Sequence, residues 1–109
     1  VEEAKELRKS RRVTIGCRLA FYGEDEMEGD AEILDLSCAG CMAKSETPVQ
    51  PGLRMKLSLF LSDGQERPIH VDEAIIRWAR GGEFGVEFLA MSQPQLLRIQ
   101  QFVINSWLL

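Results

Sequence analysis

Two short stretches of the chain hold the residue types best suited to gripping a ligand. Arg8-Lys9-Ser10-Arg11-Arg12 concentrates four positive charges with no acid among them, and Asp35-Leu36-Ser37-Cys38-Ala39-Gly40 follows further along. Written as patterns they are R-x-x-x-R and D-x-S-x-x-G. A guanidinium is a planar fork of donors that clamps phosphate oxygens, or guanine O6 and N7, in bidentate fashion, whereas lysine supplies charge without the fork. Arg8 and Arg12 are four apart, so a helical or turn-like segment projects both to one side. Asp35 and Ser37 are two apart and share one face of a strand. An ionised carboxylate only accepts hydrogen bonds, while a hydroxyl gives or takes them. Gly40 has no Cβ and so permits a tight turn and close approach of backbone to a ligand. Taken singly, the first stretch also reads as a solvated basic linker and the second as a strand running into an Asx- or Ser-capped turn.

The rest of the chain must position these groups. At 109 residues it is long enough for one domain with its own core. Residues 1–12 carry Leu7 as the only large apolar side chain after Val1 and are expected to form a linker that is mobile without ligand, leaving 13–109 as the folded body. Val13, Ile15, Cys17, Leu19 and Phe21 alternate as a half-buried strand, followed by an acidic loop over 23–29. A second strand spans 31–37, with Ile33 expected on one face and Leu34 and Leu36 on the other, so that Asp35 interrupts a buried run. A short third strand follows from Cys41 to Lys44. Arg54–Ser62 alternates most clearly. A long strand from about Arg67 to Arg80 changes its apolar parity between Ile69/Val71 and Ala74/Ile76/Trp78, which predicts a β-bulge near Asp72-Glu73. Phe84, Val86 and Phe88 mark a sixth strand after the Gly81-Gly82 turn. A helix then opens with Ser92 as N-cap, Gln95 completing a capping box, and Pro94 in the first turn. Its stripe is Leu96, Ile99, Val103 and Trp107, with Phe102 beside it. The fold class expected is mainly β: a small six-stranded antiparallel β-barrel with a C-terminal α-helix.

Composition narrows the function. Apolar residues make up 45% and charged ones 28%, as in an ordinary soluble domain. No apolar run suits a membrane span and no signal peptide opens the chain, so a cytoplasmic location is expected. A net charge of −4 with one compact cationic cluster favours a small anion over a nucleic-acid polymer. Aromatic residues at 7% leave little for an oligonucleotide-binding face. Cys17, Cys38 and Cys41 read as free thiols and small strand residues. A zinc or redox site built from them with His70 is the weaker alternative, so no metal and no cofactor are expected. His70 has no adjacent nucleophile and Asp35/Ser37 no activating base in sequence reach, so the chain is not expected to be an enzyme. The start lacks Met and the end, Trp107-Leu108-Leu109, is apolar, as expected of a domain taken from something longer.

The paired motifs, their order and spacing, and the last strand Gly82-Glu-Phe-Gly-Val-Glu-Phe88 before a closing helix resemble the PilZ domain family, bacterial receptors for cyclic di-GMP. The resemblance implies a barrel whose rim supports the ligand while the R-x-x-x-R segment wraps over it. Arg8 and Arg12 would then grip phosphate and guanine, Lys9 would add charge, Asp35 and Ser37 would read a guanine and a phosphate, and Gly40 would shape the turn. Trp78 has two readings: core packing, or stacking on the bound base as in some family members, which would contribute about 1–3 kcal/mol. Where the richest family patterns carry another Arg before the first, this chain has Leu7. The function implied is a non-enzymatic receptor that orders its Arg segment on binding and signals to a downstream protein or attached domain. The alternative is a PilZ-like protein-interaction domain that leaves the nucleotide unbound.

Overall fold

The structure, a computed structural model, describes residues 16–24 and 26–107, without the Trp107 side chain. The expected 1–12 segment with Arg8, Lys9 and Arg12, and the Val13–Ile15 start of the first strand, lie outside the described residues, as do Leu108 and Leu109.

Alternating apolar residues build six strands: β1 (Arg18–Gly23), β2 (Glu28–Leu36), β3 (Gly40–Lys44), β4 (Arg54–Phe60), β5 (Ile69–Arg80) and β6 (Glu83–Ala90). They close into an antiparallel barrel in the order β1-β2-β3-β6-β5-β4. Every second side chain of a strand turns inward. Leu19, Phe21, Ile33, Leu57, Leu59, Ile69 and Phe84 are buried almost completely as a result. Each such side chain contributes about 1.5–3 kcal/mol through removal from water. Phe21 and Phe84 meet edge to face across the interior, their ring centroids 6.0 Å apart.

Of the four departures from strict pairing among the described residues, three place the site. Between Met55/Leu57 on β4 and Ala74/Val71 on β5, the long strand carries one residue more than its neighbour, which locates the expected bulge at Asp72-Glu73. A second irregularity inserts Arg77 into β5, since Ile76 faces Val86 and Trp78 faces Gly85. A third inserts Leu34 into β2, since Ile33 faces Ala43 and Asp35 faces Met42. The expected face assignment for β2 is corrected here. Ile33 and Leu36 are both buried, and the inserted Leu34 leaves the core face with Asp35.

The helix α1 (Gln93–Trp107) follows, with Ile99 fully buried and Phe102 and Val103 packed against the core. Its first turn differs from the capping box expected. The Gln95 side chain reaches outward, and its Oε1 accepts from the His70 N–H at 2.8 Å, tying helix to β5. A second tie is Arg98, which meets Asp63 through two bonds of 3.2 and 3.3 Å and also donates to the Arg67 carbonyl. Both partners of that ion pair are mostly buried, and the two-pronged geometry fixes the β4–β5 loop on the helix. Among the described residues no helix is long and apolar enough to cross a membrane.

Candidate functional site

Two of the three insertions, Leu34 in β2 and Arg77 in β5, face each other across β3 and β6. A plain strand alternates in and out, so one added residue places two consecutive side chains outside. In β2 these are Leu34 and Asp35, between buried Ile33 and Leu36. In β5 they are Arg77 and Trp78, between buried Ile76 and the core-packed Ala79. One cross-strand row, Asp35–Met42–Gly85–Trp78, runs between the two insertions. Three inter-strand spacings separate its ends, about 14 Å. A groove of about 430 Å³ lies along this row, lined by Asp35, Ser37, Gly40, Arg77, Trp78 and Glu87 among others.

Trp78 is 39% exposed, so its position on the barrel is outside the core. The ring lies down over Gly85: a Cβ there would stand 2.1 Å from the indole Nε1. Gly85 therefore seats the indole on β6. The shared parity of Trp78 with Ile76 points inward, but the inserted Arg77 reverses it.

At the opposite wall, Asp35 is half-buried and its Oδ1 accepts from the Leu36 N–H at 3.0 Å. The turn beyond it is held by Ser37. The Ser37 Oγ accepts from the Ala39 and Gly40 N–H groups at 3.2 Å each and donates to the Gly40 carbonyl at 3.2 Å. Much of the hydroxyl's bonding capacity thus shapes the turn. Gly40 is needed there for a reason other than approach to a ligand. A Cβ on it would stand 2.1 Å from the Val86 carbonyl oxygen, so the glycine lets β3 lie close against β6. Asp35, Ser37, Gly40 and Trp78 are thus brought to one groove, while Arg8, Lys9 and Arg12 lie outside the described residues.

The sequence reading missed two charged residues of the groove. Arg77 donates from Nε to Glu87 Oε1 at 2.7 Å, both side chains about half exposed. Neither belongs to a motif, and only the register of β5 on β6 brings them to the site. Beneath the groove, burial pushes the Cys41 thiol up to about 12, with the negative charge of Asp35 adding to it. Cys41 is held as a neutral, apolar floor residue. Cys17 lies elsewhere, its sulfur 3.4 Å from the Ser62 Oγ, and His70 Nδ1 faces the Ser58 Oγ at 3.3 Å. Among the described residues, no three of His, Cys, Asp or Glu converge as a metal-binding set.

The chain joins the barrel beside the Asp35 wall. The Cys17 carbonyl accepts from the Ile33 N–H at 3.0 Å, two residues before Asp35. Gly16 precedes it with φ 83°, a left-handed conformation that suits glycine.

Comparison with known proteins gives the family. The family model for the PilZ domain matches residues 6–105. The solved PilZ domain of CeSA from a cellulose-synthesising bacterium is similar in fold, with TM-score 0.60 and 16% identity over 81% of this chain and 89% of that one. The PilZ domain of YcgR from Escherichia coli, solved with c-di-GMP, gives TM-score 0.63 and 19% identity over 84% of this chain and 81% of that one. The Bacillus subtilis inhibitor of motility, MotI/DgrA, gives 0.66 and 16% over 84% of this chain and 47% of that one. A search of the curated proteins finds no significant match. With nearly its whole length matched by the family model, the chain belongs to the PilZ domain family.

Proposed function

We propose that this domain is a cyclic di-GMP receptor without catalytic activity. The observation that carries the reading is the convergence of Asp35, Ser37 and Trp78 on one groove of the barrel's outer face. The structural relative YcgR, solved with that dinucleotide, supports the choice of ligand. Asp35 takes the N1–H and N2 amino edge of a guanine, and Trp78 offers its indole to a base. Gly40 keeps the turn close against β6. Arg12 is four residues before Gly16, a reach of about 14 Å for extended chain, enough to bring its fork over the groove. Arg8 and Arg12 clamp phosphate and guanine, and Lys9 adds charge.

The reading assigns residues 1–12 as the switch segment and 13–109 as the receptor body. The clustered charges of residues 8–12 repel one another until a dianionic ligand neutralises them and draws the segment onto the rim. That movement is the signal to a downstream protein or an attached domain in the cytoplasm. The Ser37 hydroxyl makes three bonds within its own turn, so its part in the site is to hold the stretch from Asp35 to Gly40 in shape.

Calorimetric titration with cyclic di-GMP, with GTP and cyclic di-AMP as controls, tests the ligand. A dissociation constant in the micromolar range or tighter, roughly −8 kcal/mol, is expected. No heat and no spectral change up to about a millimolar ligand would favour the protein-only alternative. Hydrogen exchange tests the switch: amides from about Lys5 to Val13 gain protection on ligand addition while those around Leu57 and Val86 stay constant. Protection of that segment already complete without ligand would remove the switch.

A further inference from the structure

Arg77 is the inserted residue of β5, and it shares the outer face with Trp78 for that reason. It is the positive charge among the described residues lining the groove, where Asp35 and Glu87 are both negative. Its contact to Glu87 is made through Nε at 2.7 Å. A guanidinium bonded through Nε still has its terminal Nη groups to offer. Both side chains are about half exposed, 56% and 46%, and so open a pair adds little to stability. Orientation is a better account of it: Glu87 holds the guanidinium beside the indole that is seated on Gly85.

Guanine presents acceptors, O6 and N7, on one edge, and adenine replaces the O6 acceptor with an N6 amino donor. Guanine's adjacent Watson–Crick edge carries the N1–H and N2 donors. The groove supplies a group for each edge at its two walls, a carboxylate at Asp35 for one guanine of the dinucleotide and a guanidinium at Arg77 for the other.

From this we infer that Arg77 is a further ligand-contacting residue, reading the O6/N7 edge of a guanine held against Trp78, and that Glu87 is its positioning residue. The inference rests on the receptor reading above and adds to it the residue that selects the base.

The test titrates the intact protein, its Arg77→Ala, Arg77→Lys and Glu87→Gln variants and the Arg77→Ala/Glu87→Gln double variant with cyclic di-GMP and with cyclic di-AMP. Thermal melting by circular dichroism accompanies each variant to show that the fold is kept. Arg77→Ala weakens cyclic di-GMP binding about 10-fold or more, with little change for cyclic di-AMP, so the preference between the two shrinks. Arg77→Lys restores little of it, because the fork is lost. Glu87→Gln loses a smaller share, and adds nothing once Arg77 is already Ala, the sign that the two act as one unit. An Arg77→Ala protein that melts as the parent does and keeps the full preference for guanine overturns the assignment while leaving the receptor reading intact. A parent protein that binds no cyclic di-GMP overturns both.

Discussion

β1 and β5 serve the same barrel by different rules. β1 pairs with β2 and β4 without a break in register, and its buried positions alternate from end to end. β5 is twice as long and slips against both of its neighbours. The unbroken strand spends its side chains on the core. The slipped strand, together with β2, turns consecutive residues outward, and the groove lies between those departures. Regular alternation builds the core here, and its violations build the candidate site.

The largest effects separate these two jobs. Leu59→Ala, at a fully buried position of β4 that pairs with both β1 and β5, is expected to cost about 2–5 kcal/mol in urea unfolding, through lost contacts and the cavity left behind. Two glycine substitutions sharpen the contrast. Gly40→Ala drives a Cβ into the Val86 carbonyl, so backbone must shift, and a stability loss of about 2–4 kcal/mol is expected. Gly85→Ala meets the Trp78 indole instead, which can swing away. It should leave the unfolding midpoint closer to that of the parent while tryptophan emission shifts and ligand affinity falls. Equal stability losses for the two would refute the division between a framework glycine and a site glycine.

On the site side, Arg8→Ala and Asp35→Ala are each expected to weaken cyclic di-GMP binding by about 1–3 kcal/mol, the range of charge-assisted hydrogen bonds, with unfolding nearly unchanged. Arg12→Lys should lose much of the affinity although the charge stays, because the fork is gone. Calorimetry decides this, and a fully active Arg12→Lys would show that charge alone suffices.

A smaller effect comes from Cys41, below the groove. Its folded thiol keeps its proton to about pH 12, against an ordinary value of 9.0. Between those values the unfolded chain binds fewer protons than the folded one, so the contribution is whole below pH 9 and is lost as pH rises toward 12. The slope is about 1.4 kcal/mol per pH unit. Urea midpoints at neutral pH and near pH 10 should converge for Cys41→Ala relative to the parent; parallel behaviour would show that the thiol is not held neutral.

Much of the framework was legible because β1, β4 and the first half of β5 keep an unambiguous period of two. The slip from Ile69/Val71 to Ala74/Ile76 could even be read as a bulge, since apolar residues stand on both sides of it. The run Ile33-Leu34-Asp35-Leu36 was not decidable in this way. It carries apolar residues at both parities, and only pairing with β3 shows that Leu34 is the one displaced. The slip at Arg77 was hidden for the opposite reason. Beyond it only small Ala79 faces inward, too weak a signal to reveal the reversal that exposes Trp78. Asp35, Ser37 and Gly40 could be singled out because they fall in one short motif. Arg77, Gly85 and Glu87 share the groove through register alone, which a linear pattern does not encode.

Closure of the barrel also limits how a second protein could engage this domain. Each of the six described strands has a hydrogen-bonded neighbour on both sides, so among the described residues the barrel has no edge strand of the kind to which an extended peptide adds. The fully paired stretches are thereby closed to strand addition and to the edge-to-edge association that open sheets invite. A partner that docks on these paired stretches reads side chains, and its specificity is written in residues that can be exchanged one at a time without disturbing the backbone beneath.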